Sequence, residues 1–400
     1  MIYSEQFSAD PILFNEKNVS NTFIKVIGVG GGGSNAVNRM YNLGINDVTY
    51  AIFNTDIQDL AKSPVPVKVQ IGEVLTHGLG AGGRPEVGQQ SAEEDIDKIT
   101  TVLSDNTRMA FINAGMGGGT GTGAAPVIAR IAKEKNILTI GIVTIPFEFE
   151  GKRKFDKAKL GLEEMRKSVD ALLVVDNRQL VKIYSDYQLD NAFAKADEVL
   201  SEAIKSIADM TNTTGYINVD FADVSTIMRN CGVAIMNTGK AKGENRVTKA
   251  IKEALNSPLL HDNDVRGAER LLMYTKTSHD HQLTPGETSE ITNFINAIGA
   301  DIEFIWGAYY DDELEVEISV TVIATGFEIK SIIDDKNEEA PICNDWISVA
   351  KPAPAAAEPV EEAPAAAAEE NEGIDTIDWG EWAMDDNDDD INLPPSMRGK

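Results

Sequence analysis

The chain has little cysteine and lacks long apolar runs. Its 400 residues include only two cysteines, Cys231 and Cys343, far apart and without metal-ligand spacing, so neither a disulfide framework nor a zinc site is expected. No run approaches the length of a membrane-spanning helix, and residues 1–21 lack the basic and apolar regions of a signal peptide. We therefore expect a cytoplasmic chain without direct membrane insertion.

Positive charge is also scarce. Lys and Arg number 36 against 64 Asp and Glu, a net charge of −28, which argues against a nucleic-acid partner. Residues 328–400 alone carry twenty Asp/Glu and five Lys/Arg, a balance of −15. Their Pro/Ala/Glu-rich composition cannot bury enough apolar surface to fold, which predicts a disordered acidic tail. Hydrophobic residues return at 390–400, which predicts a partner-binding peptide; a frayed end is the alternative.

A lysine-containing P-loop is missing too, since no G-x-x-x-x-G-K-[ST] pattern occurs. In its place, an apolar strand ending at Ala114 runs into a loop that is nearly all glycine, with a helix predicted after Gly123. Glycines bring bare N–H groups against an anion, and the start of a helix adds unpaired N–H donors. Thr120 and Thr122 are expected to add hydroxyl donors. The stretch predicts a phosphate-binding loop.

A second glycine loop, Gly30–Ala36, follows the predicted strand Thr22–Val29. Gly28, Gly30 and Gly33 also fit G-x-G-x-x-G, with Asp56 placed as the ribose-binding acid of a dinucleotide fold. An NAD-dependent Rossmann oxidoreductase is therefore an alternative. Two glycine loops that feed one site disfavour it, because a dinucleotide enzyme needs one such turn.

Strand and helix patterns alternate through the first half of the chain, which predicts an α/β fold with a parallel, Rossmann-like sheet and ligands at the carboxyl ends of its strands. A further glycine loop between Leu75 and Gly88 is either a surface turn or a cover for a terminal phosphate. The next segment, Glu86–Leu103, is predicted to be a helix. Apolar residues at three- and four-residue spacing predict a long helix over Asp190–Met210, and an α+β second domain follows. Alternation over Leu314–Ala324 predicts a strand with one wet face.

Three segments together resemble the tubulin/FtsZ superfamily over roughly Phe23–Phe327: the second glycine loop, Gly117-Gly-Gly-Thr-Gly-Thr-Gly123 and Asn218-Val-Asp-Phe-Ala-Asp223. The resemblance implies a GTPase that binds GTP, GDP and Mg²⁺ and polymerises head to tail into the bacterial division ring at mid-cell. Its terminal peptide would bind a membrane-tethering adaptor and other division proteins. The predicted parts are an N-terminal extension (1–21), a GTP-binding domain (22–188), a central helix (189–214), a second domain with a catalytic loop (215–327), an acidic linker (328–389) and a terminal peptide (390–400).

The resemblance also implies nucleotide contacts. Guanine presents N1–H and N2–H₂ as adjacent donors, which suit a carboxylate such as Asp197. The chain has lysine at 154 where the family usually has arginine, and Asp176 stands where the family commonly has a non-acidic residue. The implied contacts are Gly31, Gly32, Gly33, Ser34, Asn35, Gly118, Gly119, Thr120 and Gly121 for phosphates, Glu150, Arg153 and Lys154 for ribose and phosphate, and Asn177, Phe193 and Asp197 for guanine.

No residue near the glycine loops suits water activation, so a loop-only site would bind GTP without turnover, as in a non-hydrolysing scaffold. The acids of 218–223 follow a helix that extends about 30 Å from Phe193. The resemblance implies that Asp220 and Asp223, assisted by Asn218, act in trans on the nucleotide of the neighbouring subunit. Helix capping is the alternative role, since Asp220 is well placed as the N-cap of a helix starting near Phe221.

Overall fold

The computed structural model describes residues 22–45, 47–179, 189–213, 215–255, 268–299 and 302–326, except for the side chains of 189, 190, 192, 193, 195 and 196. The predicted N-terminal extension, acidic linker and terminal peptide lie outside these ranges. Among the described residues, no helix has both the length and the apolar character needed to cross a membrane.

The first half of the described chain is a parallel sheet in the order β3-β2-β1-β4-β5-β6. Its central strands are apolar runs rich in β-branched residues and are buried along almost their whole length, as expected where helices cover both faces. The strands are β1 Ile24–Val29, β2 Thr49–Asn54, β3 Val67–Gln70, β4 Met109–Gly115, β5 Leu138–Ile145 and β6 Ala171–Asp176.

Helices pack on both faces of this sheet. One face is covered by α1 Gly30–Asn42 and the central helix α8 Leu189–Asn212, which contributes Leu200, Ile204 and Ile207 to the core. The other is covered mainly by α4 Pro85–Glu94, α5 Ile96–Val102, α6 Thr120–Glu134 and α7 Lys152–Ser168. The short helices α2 Ile57–Lys62 and α3 Glu73–Thr76 complete this half.

The second half extends the same sheet with the order β7-β10-β8-β9, joined to β6 through two parallel pairs, Ala171↔Gly232 and Leu172↔Val233. Helices α10 and α11 cover one of its faces with Val247, Ile251 and Phe294. The elements are α9 Phe221–Met228, β7 Gly232–Ala241, α10 Arg246–Leu255, β8 Arg270–Thr277, α11 Pro285–Ile298, β9 Glu303–Tyr310 and β10 Ile318–Thr325. The predicted fold class, an α/β nucleotide-binding half followed by a long helix and an α+β half, is confirmed.

Two local predictions were wrong. The helix predicted over 86–103 divides at Asp95, whose carboxylate accepts a hydrogen bond from Gly72 N–H at 2.8 Å and pairs with Lys98. The strand predicted to have a wet face begins only at Ile318 and is buried throughout, because β10 lies between β7 and β8 with packed side chains on both faces.

Candidate functional site

The two glycine loops meet between β1 and β4, where the strand order of the sheet reverses. Strands β1 and β4 are neighbours, with Val29 paired to Ala114, yet the helices that follow them lie on opposite faces. The connections therefore diverge and leave a crevice at the carboxyl ends of the two strands. This is the position at which open parallel sheets bind ligands.

Both helices begin inside the glycine loops. Helix α1 starts at Gly30, and α6 starts at Thr120 instead of after Gly123. Neither helix has a side-chain cap or an acidic residue in its first turn. The free N–H groups of two helix starts thus face one crevice, which favours a phosphate group.

Close packing explains why glycine is required in these helix starts. A Cβ on Gly33 would lie 2.1 Å from the carbonyl oxygen of Asn113, and one on Gly30, whose φ is +69°, would lie 2.8 Å from Gly121 N. Contacts this short leave no room for a side chain. The glycines allow α1 to approach β4 and the start of α6.

The two threonines of the signature loop form hydrogen bonds within the protein. The Thr120 hydroxyl lies 2.7 Å from the hydroxyl of Thr55, and the Thr122 hydroxyl accepts a hydrogen bond from Gly117 N–H at 2.9 Å. These bonds hold the loop in shape. Thr120 still lines the crevice, whereas Thr122 does not belong to its lining.

Two adjoining cavities of about 340 Å³ and 240 Å³ form the crevice and share Gly32, Gly115, Thr144 and Asn177. The larger continues to α8, and the smaller lies over the helix starts. Between them they bring together most of the predicted contacts: Gly31, Gly32, Gly33, Asn35, Gly118, Gly119, Thr120, Gly121, Glu150, Lys154, Asn177 and Asp197. The side chain of Phe193 lies outside the described residues.

The larger cavity offers hydrogen-bond acceptors to a ligand. The Asn177 Oδ1 atom lines this cavity, is buried and has no hydrogen-bond partner within the described part of the chain. The Ser34 hydroxyl is also buried without a partner among the described residues, but Ser34 is in the lining of neither cavity. Asp197 is half-buried, and its burial raises the pKa of its carboxyl to about 6, with the Arg39 charge opposing this rise. A ligand that carries N–H donors would satisfy these groups.

The smaller cavity contains an ion pair on its rim. Lys154 pairs with Glu150 one helical turn earlier, and Glu150 also accepts a hydrogen bond from Phe147 N–H at 2.9 Å. Arg153 is exposed on α7 and is absent from both cavity linings, so its contact with a phosphate stays a prediction. The further loop near Gly83 packs behind the signature loop: a Cβ on Gly119 would lie 2.9 Å from Arg84 N.

Sequence reasoning missed the partner of Asp176. This carboxylate is fully buried, and the Arg178 guanidinium donates to both its oxygens at distances of 2.8 to 3.1 Å. The guanidinium also lies over the Phe155 ring, 4.7 Å from its centroid. The charge of Asp176 is thus compensated next to Asn177. The spacing of two residues between Asp176 and Arg178 is the one sequence signal that could have indicated this ion pair.

The predicted catalytic acids form the start of α9. Asp220 accepts a hydrogen bond from Asp223 N–H at 3.0 Å, and Asp223 accepts one from Asp220 N–H at 3.0 Å, a reciprocal capping box. The predicted N-cap is therefore confirmed. Asn218 Oδ1 accepts a hydrogen bond from Gly215 N–H at 2.6 Å. Residues 218–223 are absent from the linings of both crevice cavities.

Comparison with known families decides between a GTPase and an NAD-dependent oxidoreductase. Residues 23–185 match the model of the Tubulin/FtsZ family GTPase domain, and residues 232–328 match that of the FtsZ family C-terminal domain. This chain belongs to the Tubulin/FtsZ family. It is a GTPase that binds GTP and GDP.

Close relatives support the membership in the FtsZ family. The chain is 52% identical over 307 residues to the cell division protein FtsZ of Porphyromonas gingivalis. The matched region covers 76% of this chain and 67% of that protein. It is 46% identical over 314 residues to cell division protein FtsZ of Aquifex aeolicus, covering 78% and 85%. The FtsZ dimer of M. jannaschii matches with a TM-score of 0.69 and 39% identity, covering 77% of this chain and 89% of that one.

The oxidoreductase alternative is not supported in this FtsZ-family chain. Asp56, the acid proposed for a ribose, is the N-cap of α2 and accepts hydrogen bonds from Gln58 N–H and Asp59 N–H. The crevice walls also include apolar residues that the motif search did not find, Ile142 on β5 and Leu200 on α8. Leu200 lies three residues after Asp197, so its place on the same helix face was available from spacing.

Proposed function

We propose that this FtsZ-family GTPase is a cell-division protein that assembles head to tail and completes each hydrolytic site at the contact between two subunits. One observation carries the proposal: the crevice has two helix starts for phosphates, yet residues 218–223 are outside its linings. A site that binds phosphate without a water-activating group needs that group from elsewhere. The solved dimer of an FtsZ with 39% identity supports self-association.

In the proposed complex, the phosphates lie across the N-termini of α1 and α6, and Lys154 adds positive charge. Asp197 accepts from the guanine N1–H and N2–H₂ groups, and Asn177 provides a further acceptor. The buried Asn177 Oδ1 atom, which has no partner among the described residues, fits such a ligand. Arg153 and Phe193 remain proposed contacts.

A magnesium ion fits a site with so few cations around the phosphates. Within the described ranges, no group of three His, Cys, Asp or Glu residues is arranged to hold a metal. Phosphate oxygens and waters would therefore be its main ligands, as is usual for Mg²⁺. The ion would neutralise charge on the phosphates.

Hydrolysis would take place when α9 of one subunit meets the crevice of the next. Asp220 and Asp223 would orient and polarise the attacking water, with Asn218 assisting. A head-to-tail contact of this type does not close on itself, so it produces filaments. Assembly and hydrolysis are then coupled.

Dilution tests the coupling. Phosphate release per subunit, followed together with light scattering, is expected to rise steeply with protein concentration in GTP and to stay at background in ATP. Asp223→Ala is expected to bind GTP normally and to release almost no phosphate. A rate per subunit that is independent of concentration would contradict the shared site.

In the cell, we propose that the filaments form at the cytoplasmic division site and reach the membrane through an adaptor bound to residues 390–400. The division role of the relatives and the hydrophobic residues that end the acidic tail support this. A chain that ends at residue 389 is expected to polymerise normally in solution and to lose its mid-cell position. Normal positioning of that chain would contradict the adaptor role. The domain boundaries predicted from the sequence are part of the same proposal.

A further inference from the structure

One buried phenol anchors the connection between α8 and α9. Tyr309, on β9, is 1% exposed, and its hydroxyl accepts a hydrogen bond from Val219 N–H at 2.9 Å. The same hydroxyl lies 3.2 Å from the Met210 carbonyl and 3.3 Å from that of Val219. A phenol has one proton, so it donates to one of these carbonyls while it accepts from the amide. Tyr309 thus links the last turn of α8 to the residue before Asp220.

The ring of Tyr309 has a site built for it. A Cβ on Gly215 would lie 2.6 Å from a ring carbon, and a Cβ on Gly307 would lie 2.8 Å from another. Its centroid is 4.6 Å from that of Tyr274. Two glycines make room for the ring, and the neighbouring tyrosine packs against it, so the hydroxyl has little freedom to move.

The rest of the connection is docked on the same strand. Ile217 and Ala308 form an antiparallel bridge, in which Ala308 N–H donates to the Ile217 carbonyl at 2.9 Å. Tyr216 N–H also donates to the Ala308 carbonyl, at 3.1 Å. The backbone is thus held at residues 216 and 217 by β9 and at residue 219 by Tyr309. The capping box begins at the next residue.

We propose that Tyr309 is a positioning residue for GTP hydrolysis: its hydroxyl sets the placement of the Asp220 and Asp223 carboxylates that reach the nucleotide of the neighbouring subunit. This inference rests on the proposed role of those acids. Burial raises the pKa of the Tyr309 phenol; the hydrogen bond from Val219 N–H opposes this rise, and the Asp223 charge adds to it. The phenol is therefore protonated at physiological pH and can donate to one of the two carbonyls.

Removing only the hydroxyl separates this role from packing. Tyr309→Phe keeps the ring contacts but leaves the buried Val219 N–H without its acceptor, which is costly enough to shift the backbone. A displacement of about 1 Å in a catalytic group can lower the rate by about 100-fold. We expect phosphate release per assembled subunit to fall by about 10- to 100-fold, with GTP affinity and critical concentration unchanged.

The matched control is Tyr274→Phe. It removes another buried phenol from the same ring pair, and among the described residues the Tyr274 hydroxyl has no hydrogen bond to residues 215–223. Each variant is measured at saturating GTP for phosphate release per pelleted subunit, and by hydrogen exchange over 215–223. Faster exchange and slow turnover are expected in Tyr309→Phe only.

A double variant tests whether Tyr309 acts through the acids. In the Asp223→Ala background, Tyr309→Phe is expected to cause less than its full loss of turnover, because only Asp220 remains to be displaced. Tyr309→Phe turnover equal to that of Tyr274→Phe, or a full additional loss in the double variant, would overturn the inference. If Asp223→Ala itself hydrolyses GTP normally, the proposed function fails and the inference fails with it. An inactive Asp223→Ala beside a fully active Tyr309→Phe would sink the inference alone.

Discussion

Asp197 offers the sharpest test of guanine recognition. Its carboxylate lines the larger cavity, where it can accept two adjacent guanine donors. Asp197→Asn keeps the shape of the side chain but removes its charge and replaces one acceptor with a donor. A hydrogen bond to a charged group contributes about 1.5–3 kcal/mol, so GTP should bind about 10- to 150-fold more weakly.

A nucleotide analogue separates recognition of the base from general damage. Inosine triphosphate keeps N1–H and the phosphates but lacks the 2-amino group. The wild-type chain should therefore prefer GTP over this analogue, and Asp197→Asn should lose most of that preference. Calorimetric titration of both nucleotides against both proteins gives the coupling directly.

The same carboxylate predicts a pH dependence. Burial raises the pKa of Asp197 to about 6, against an ordinary value of 3.8, with Arg39 opposing the rise. Guanine binding requires the ionised form, so GTP affinity should be full above neutral pH and fall as the pH drops through 6. In the free protein the native state binds more protons than the unfolded state between 3.8 and 6, so the free energy of unfolding should decrease as the pH rises through that window.

The phosphates of GTP also titrate near this range. Asp197→Asn binds the same phosphates, so its pH dependence measures their contribution, which is subtracted from that of wild type. Titration of Asp197 should change the GTP affinity of wild type by up to about tenfold per pH unit below its pKa. The reasoning is refuted if the GTP affinity of wild type and that of Asp197→Asn change equally between pH 5 and 8. It is also refuted if both proteins discriminate equally between the two nucleotides.

Two further perturbations test the architecture of the crevice. Gly33→Ala places a Cβ 2.1 Å from the Asn113 carbonyl, so we expect a large fall in the thermal midpoint and loss of GTP binding, whereas Gly118→Ala, with nothing within 4 Å, should keep its stability. Arg178→Ala removes the guanidinium that pairs with the buried Asp176 carboxylate and should destabilise the fold by about 3–5 kcal/mol in urea unfolding. Recovery of stability in the Asp176→Asn/Arg178→Ala double variant would identify the loss of this charge pairing as the cause, and wild-type stability of Arg178→Ala would contradict the account.

Local pattern predicted those elements whose own residues carry the signal. Strand β6, Ala171–Asp176, is one of the apolar runs that alternate with helix patterns, and the N-cap at Asp220 follows from a short polar residue before an apolar helix. The long apolar stripe of α8 likewise predicted a helix. In each case, the composition or the periodicity of the element itself carries the signal.

Predictions failed where distant residues decide the outcome. Both faces of β10 are buried because it lies between β7 and β8, and alternation within one strand cannot reveal that position. The helix break at Asp95 depends on Gly72, 23 residues earlier. The pairing of Tyr309 with Val219 spans 90 residues, and no spacing rule connects them.

The candidate crevice was predictable because glycine clusters after strands have few other uses. Gly30 and Gly121 meet at the switch point of the sheet, as the two loops suggested. The internal contacts of the loop were not predictable: the Thr120 hydroxyl pairs with that of Thr55, and the Thr122 hydroxyl accepts from Gly117 N–H. Sequence spacing does not show that these partners lie within reach.

The central claim is that each hydrolytic centre combines the crevice of one subunit with the acids of another. A cryo-electron microscopy structure of filaments assembled with a non-hydrolysable GTP analogue measures this most directly. We predict that Asp220 and Asp223 lie within water-bridging distance of the γ-phosphate bound to the adjacent subunit. Finding them beside the γ-phosphate of their own chain, or remote from every nucleotide in the filament, would contradict the claim.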